Sequence, residues 1–381
     1  MRPILLALVL FTLGAAARPD EQGSNTRWRV RTSEGFDALC ALNILSGDPY
    51  YVAQYPADAP MFAEPRYDGA RVVARQLKAR IKDENGSIVS AFLTLVLSGG
   101  PDSTLDAVLE SARHPVPLKR AFRRSPFWND GSWTLFEGVR AQVVTALEQM
   151  KQAGFAQDWA RGFDGDPVRR AAALKEQLAA HDVLGQQQRL IGTKLQDGVI
   201  EVILLRFSKP HGIRIQGGRF LTNMGYPVNI VLRNAAHEPL HPPFDARARR
   251  IAVAVAALSR DPLLSKIVAE HNPSFGYTTI AGYIEEDAVQ ALEQIVSERL
   301  GFARPAGERW RVDDDGMHVL AAALYGLMQE GAFARDGGVF ADWLSSAVER
   351  GKLTPAEIER LARSVVGDDT VERWKRPRSE G

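Results

Sequence analysis

The run Asn234-Ala235-Ala236-His237-Glu238-Pro239-Leu240-His241 decides how this chain is read. Two histidines one helical turn apart share a helix face and can reach one metal ion. A glutamate directly after the first histidine stands where it can take a proton from water beside that metal. The pattern therefore predicts a helix over 228–241 that carries a metal site and its general base. Pro239 lies inside that helix and lacks the N–H that would bond back to Ala235, and Pro242 and Pro243 follow the motif directly. The expectation is a helix kinked at the motif and stopped at Pro242.

Upstream, the β-branched run 199–207 reads as a strand. A turn at 209–212 and a second short strand at 213–216 make it a hairpin, closed by Gly217-Gly218. His211 in the turn reads as an exposed turn residue with a ligand role as the alternative. Most of the remaining chain has helical periodicity: 69–82, 88–98, 104–112 capped by Ser103, 135–154, 167–184, 246–257, 262–270, 282–300 and 317–329, then a helix capped by Thr354. The aromatics Phe122, Phe127, Trp128, Trp133 and Phe136, interleaved with Arg120, Arg123 and Arg124, read as core beside a loop. The fold class expected is α+β, predominantly helical, with a small sheet or hairpin beside the motif helix. Its parts are a signal segment over 1–17, a mostly helical region over 18–195, a metal-binding core over 196–305, and a helical region over 306–381 whose tail from Trp374 is polar and disordered.

Composition narrows the setting. A formal net charge of +1 with interspersed acids and bases argues against a nucleic-acid partner. Arg2, the apolar run Ile4 to Leu13 and the small residues to Ala17 read as an export signal cut after Ala17. That run is too short to span a bilayer, and no later stretch is long and apolar enough. The single cysteine, Cys40, cannot form an internal disulfide and lies in an apolar helical pattern, so it reads as core. Together these features place the chain in a bacterial periplasm or outside the cell.

Two histidines do not complete a catalytic zinc site, which takes three protein ligands and an open position. No histidine follows at the spacing His-x-x-Gly-x-x-His, because Asp245, Ala246 and Arg247 occupy that region. Glu285 and Glu286 open a later helix, 286 − 241 = 45 residues past His241. On a helical wheel Glu285 shares the stripe of Val289, Leu292 and Val296, the face expected to be buried. Glu286 shares a polar face with Gln290 and Glu293.

With a sheet edge, the motif helix and a later acidic helix, residues 199–300 resemble the gluzincin class of zinc metallopeptidases. That resemblance implies His237 and His241 as zinc ligands, Glu238 as general base, and Glu285 or Glu286 as third ligand, with Glu286 favoured by its polar face. It also implies a tyrosine or histidine that bonds the oxyanion, for which Tyr277 and Tyr283 are placed, with His271 a further candidate. The implied partner is a peptide or protein substrate. The rival reading is a helical envelope protein that binds a partner, in which the His-Glu-Pro-Leu-His run is a structural helix end or a non-catalytic metal site.

Overall fold

The computed structural model describes residues 26–162, 166–195, 198–241, 244 and 248–376. The signal segment, Pro242, Pro243, Asp245 to Arg247 and the tail after Arg376 lie outside the described residues.

A four-stranded sheet divides the molecule into two helical layers. Strand β1 (Arg27–Thr32) leads into α1 (Glu34–Leu45), whose cap Ser33 accepts the N–H of Phe36. Helices α2 (Val89–Leu97) and α3 (Asp130–Gln152) are among those that build the core of the first layer. The chain returns as β2 (Val199–Leu205), β3 (Ile213–Ile215) and β4 (Arg219–Asn223). The second layer then follows, with α4 (Val228–His237), α5 (Ile280–Arg299), α6 (Val319–Glu330) and α7 (Pro355–Val366) among its helices.

Strand β2 is buried on both faces, and its alternation assigns each residue to a layer. Ile203 and Leu205 enter the first core, and Ile200, Val202 and Leu204 enter the second. The strand order is β1-β2-β4-β3, with β1 and β4 parallel to β2 and β3 antiparallel to β4. This corrects the expected hairpin, since β2 and β3 are not partners. Gly217, at a φ of 80°, turns the chain back, and β4 fills the slot between them. That slot needs apolar residues on both sides. Phe220 faces one core and Leu221 the other.

Asp37 on α1 fixes where β2 ends. Its buried carboxylate accepts the N–H groups of Arg206 and Phe207, at 2.9 and 2.8 Å. The turn bearing His211 starts there. The helices Pro167–Leu178 and Val183–Ile191 fall within the region grouped above with the N-terminal part, yet their apolar residues join the second core.

Several local readings need correction. The helix at Leu105–Arg113 is capped by Thr104, not Ser103, and Thr354 makes no side-chain cap bond. The tail reading also fails at Trp374, which is buried in the helix Asp368–Lys375 and donates to the carbonyl of Gly316. Cys40 is fully buried, as expected. Among the described residues no helix is long and apolar enough to cross a membrane.

Candidate metal centre

Helix α4 presents Ile230, Arg233, Asn234 and His237 to one cavity, at the three- and four-residue spacing of a single helix face. The proline has the effect its chemistry requires. Helix α4 ends at His237 rather than running on to His241 as expected, and Glu238–Leu240 form a 3₁₀ turn. The missing N–H of Pro239 leaves the carbonyl of Ala235 without its helical donor. The buried amide of Gln187 replaces it, with Nε2 at 3.3 Å from that carbonyl and 2.7 Å from the carbonyl of Ala236. The helix therefore ends without orphaned acceptors at these positions.

Across this turn the two imidazoles meet, with Nε2 of His237 3.0 Å from Nε2 of His241. Glu286 closes the group, with Oε1 3.5 Å from Nε2 of His237 and Oε2 3.8 Å from Nε2 of His241. All three donor atoms lie within 4.8 Å of one another. Ligands at zinc distances of about 2.0–2.1 Å in a tetrahedral shell stand about 3.3 Å apart. The observed spacings bracket that value, so these residues fit the metal.

Glu285 takes a different place from its neighbour. Its Oε1 lies 3.0 Å from Nδ1 of His241, the outer nitrogen of that ring. A carboxylate there receives the Nδ1 proton and leaves the Nε2 lone pair turned toward the metal position. The helical wheel is thus corrected. Helix α5 is buried almost all round from Tyr283 to Ser297, and Glu285 is its partly exposed exception. The polar stripe of Glu286, Gln290 and Glu293 is buried because it is internally bonded. Gln290 donates to Glu286 and accepts from Arg309 and Trp310, and Ser297 donates to Glu293.

The electrostatics favour a cation at this position. Burial works against a charge on His237, but Glu286, Glu238 and Glu293 outweigh it and raise its proton affinity. Burial also opposes the charge on Glu286, yet His237, His318 and the amide of Gln290 hold its carboxyl down at about 2. Burial pushes Glu238 up, against the pull of His237 and Arg214.

Glu238 lines two cavities. One is polar, about 360 Å³, and is walled by His211, Tyr226, Arg233, Tyr277 and Asp314. The other is mostly apolar, about 220 Å³, and is walled by Leu195, Ile200, Phe220 and Pro239, with Arg214 beside them.

Tyr277 reaches the polar cavity, and its hydroxyl bonds Glu286. It has a left-handed backbone, φ 58°, uncommon for a side chain of this size. Tyr283 does not reach it. That ring is in the core and its hydroxyl donates to the carbonyl of Met317 at 2.8 Å. His271 is also held elsewhere, between the carbonyls of Ile267, Val268 and Gly276.

Two neighbours, Arg214 and Arg233, escape the sequence reading as site residues, and His211 departs from its favoured reading. His211 is not the exposed turn residue expected. It lines the polar cavity with Nε2 3.0 Å from the hydroxyl of Tyr51, and burial pulls its proton affinity down to about 4. Arg214, on the edge strand β3, lies over the ring of Phe127 and near Glu285. Arg233 stands four residues before His237, so its helical register was the one signal available in the sequence. A comparison with protein-family models, curated proteins and solved structures finds no match to this chain.

Proposed function

We propose that this chain is a zinc-dependent hydrolase of the metallopeptidase type, an extension of the gluzincin resemblance. The observation that carries the reading is the convergence of His237, His241 and Glu286 at spacings suited to one ion, with Glu285 on the outer nitrogen of His241. Two imidazole nitrogens and one carboxylate are a donor set that zinc accepts, with a fourth position left for water or substrate. When bound, zinc supplies Lewis acidity, which acidifies water and polarises a carbonyl.

The chain's own residues do the rest. Glu238 takes the proton from the attacking water at a carboxylate oxygen and returns it to the leaving nitrogen. Burial raises its carboxyl, and the charges of His237 and Arg214 limit that rise. Glu285 fixes the orientation of His241. Tyr277 remains a phenol, because burial and the charge of Glu286 push its ionisation far up. It therefore holds a proton for the oxygen that gains charge. The apolar cavity beside Glu238 suits an uncharged side chain of the substrate. The features of residues 1–17 support action outside the cytoplasm.

The test is elemental analysis of the purified chain with a peptide-library assay. About one zinc per chain, kept in Glu238→Gln while turnover is lost, supports the reading. A chain that takes up no zinc at neutral pH would overturn it.

A further inference from the structure

Arg233 lies one turn before His237 on α4, so both side chains project into the same polar cavity. Its planar guanidinium carries five N–H donors. Its ion-pair partner among the described residues is Asp313, whose Oδ2 is 3.6 Å from Nη1. That is beyond hydrogen-bond length. Asp313 is already gripped by Arg304 through both oxygens, at 2.8 and 2.6 Å. The other guanidinium lining the cavity, Arg309, is committed to Gln294, Gln290 and Glu293.

The acids of the cavity are also matched. Glu286 faces the two histidines, Glu293 faces Arg309, and Asp314 faces His318. Glu238 has Arg214 as its nearby cation. Among the described residues, none accepts a hydrogen bond from Arg233. Its side chain remains one-third exposed, toward a cavity walled by polar groups. Burial and the neighbouring charge of Arg309 disfavour its cation by more than Glu293 and Asp313 favour it. An incoming anion would relieve that.

We propose that Arg233 anchors a carboxylate of the substrate, one or two residues from the bond that is cut. This rests on the hydrolase reading for the bond, but not for the anion. Four residues of helix rise about 6 Å, which sets the spacing between the guanidinium and the reacting centre. An extended peptide covers that distance in about two residues. The planar fork of arginine suits a carboxylate in two parallel bonds. The carboxylate comes from a free C-terminus or from an acidic side chain.

Calorimetry on zinc-loaded Glu238→Gln, with three probes, separates these sources. The probes are acetyl-Ala-Ala-Ala, its C-terminal amide, and acetyl-Ala-Asp-Ala amide. Binding of the free acid on the order of 10- to 100-fold tighter than the amide assigns the C-terminal carboxylate. A preference of that size for the aspartyl peptide assigns the side chain. Either preference is expected to vanish in Arg233→Gln, with zinc content unchanged, and to survive in part in Arg233→Lys. Equal binding of all three probes, no binding of any, or a preference that persists in Arg233→Gln would overturn the proposal. Failure of the hydrolase reading shows separately. In that case an Arg233-dependent preference for carboxylate persists while the unsubstituted chain turns over no peptide.

Discussion

Adjacent residues of α5, Glu286 and Asp287, each meet histidine, and the two meetings differ in where the protons go. His318 is buried between two acids, with Nδ1 2.6 Å from Asp287 and Nε2 3.0 Å from Asp314. Asp287 also accepts the N–H of Ala321. Burial works against the charge on His318, but these two acids outweigh it and raise its proton affinity to about 10. Both ring nitrogens hold protons, and no lone pair is left for a metal. At Glu286 the arrangement is the reverse. Two Nε2 atoms face each other at 3.0 Å, and the acid of Glu285 takes the outer nitrogen of His241. The same residue types make a closed ion pair in one place and an open donor set in the other. Composition does not separate them; the placement of the acids about the rings does.

Substitutions sharpen this contrast. His237→Ala should have the largest effect, taking zinc from about one per chain to none by elemental analysis, while His318→Gln leaves it unchanged. Zinc lost equally in both would erase the distinction. Next, Glu238→Gln should keep the metal and lower turnover by about 10²- to 10⁴-fold, the range for a general base. An unchanged rate constant on a cleaved peptide would remove Glu238 from that role.

His318→Gln should instead destabilise the fold by roughly 3–5 kcal/mol in denaturant titrations, because it leaves buried acids without their cation. The sign with pH follows from a folded value above the unfolded one. The contribution is complete below pH 6.5 and is lost as pH rises through about 10. The gap between parent and variant should therefore shrink over that interval, and a gap that widens would contradict a charged His318. The smallest effect is expected for Glu285→Gln, which should weaken zinc affinity by about 10- to 100-fold without abolishing it. Complete loss of zinc there would make Glu285 a ligand in its own right.

Much of the centre was legible because it depends on one helix. The spacing of His237 and His241, the position of Glu238 and the break at Pro239 follow from backbone geometry and a missing N–H. Gln187, which caps the broken turn, was not legible, since nothing local links it to Ala235 and Ala236. Helix α5 was half legible: the wheel put Glu286, Gln290 and Glu293 on one polar face, and they line the polar cavity, but it put Glu285 on the buried face, where it is partly exposed. Nothing local showed that Arg309 and Trp310 would satisfy Gln290 on that face.

The sequence by itself determined the predominantly helical α+β class, the motif helix with its break at Pro239, and the pairing of a sheet with that helix. These depend on interactions a few residues long, where sterics and hydrogen-bond spacing leave little choice. Only the tertiary structure decided the rest. It set β4 between β2 and β3, put Glu286 on the inner side of the histidines and Glu285 on the outer, and kept Tyr283 in the core. It also brought His211 and Arg214 to the cavities around Glu238. Those outcomes depend on which buried faces pair across the sheet and between helices. Long-range packing sets that, and no local periodicity encodes it.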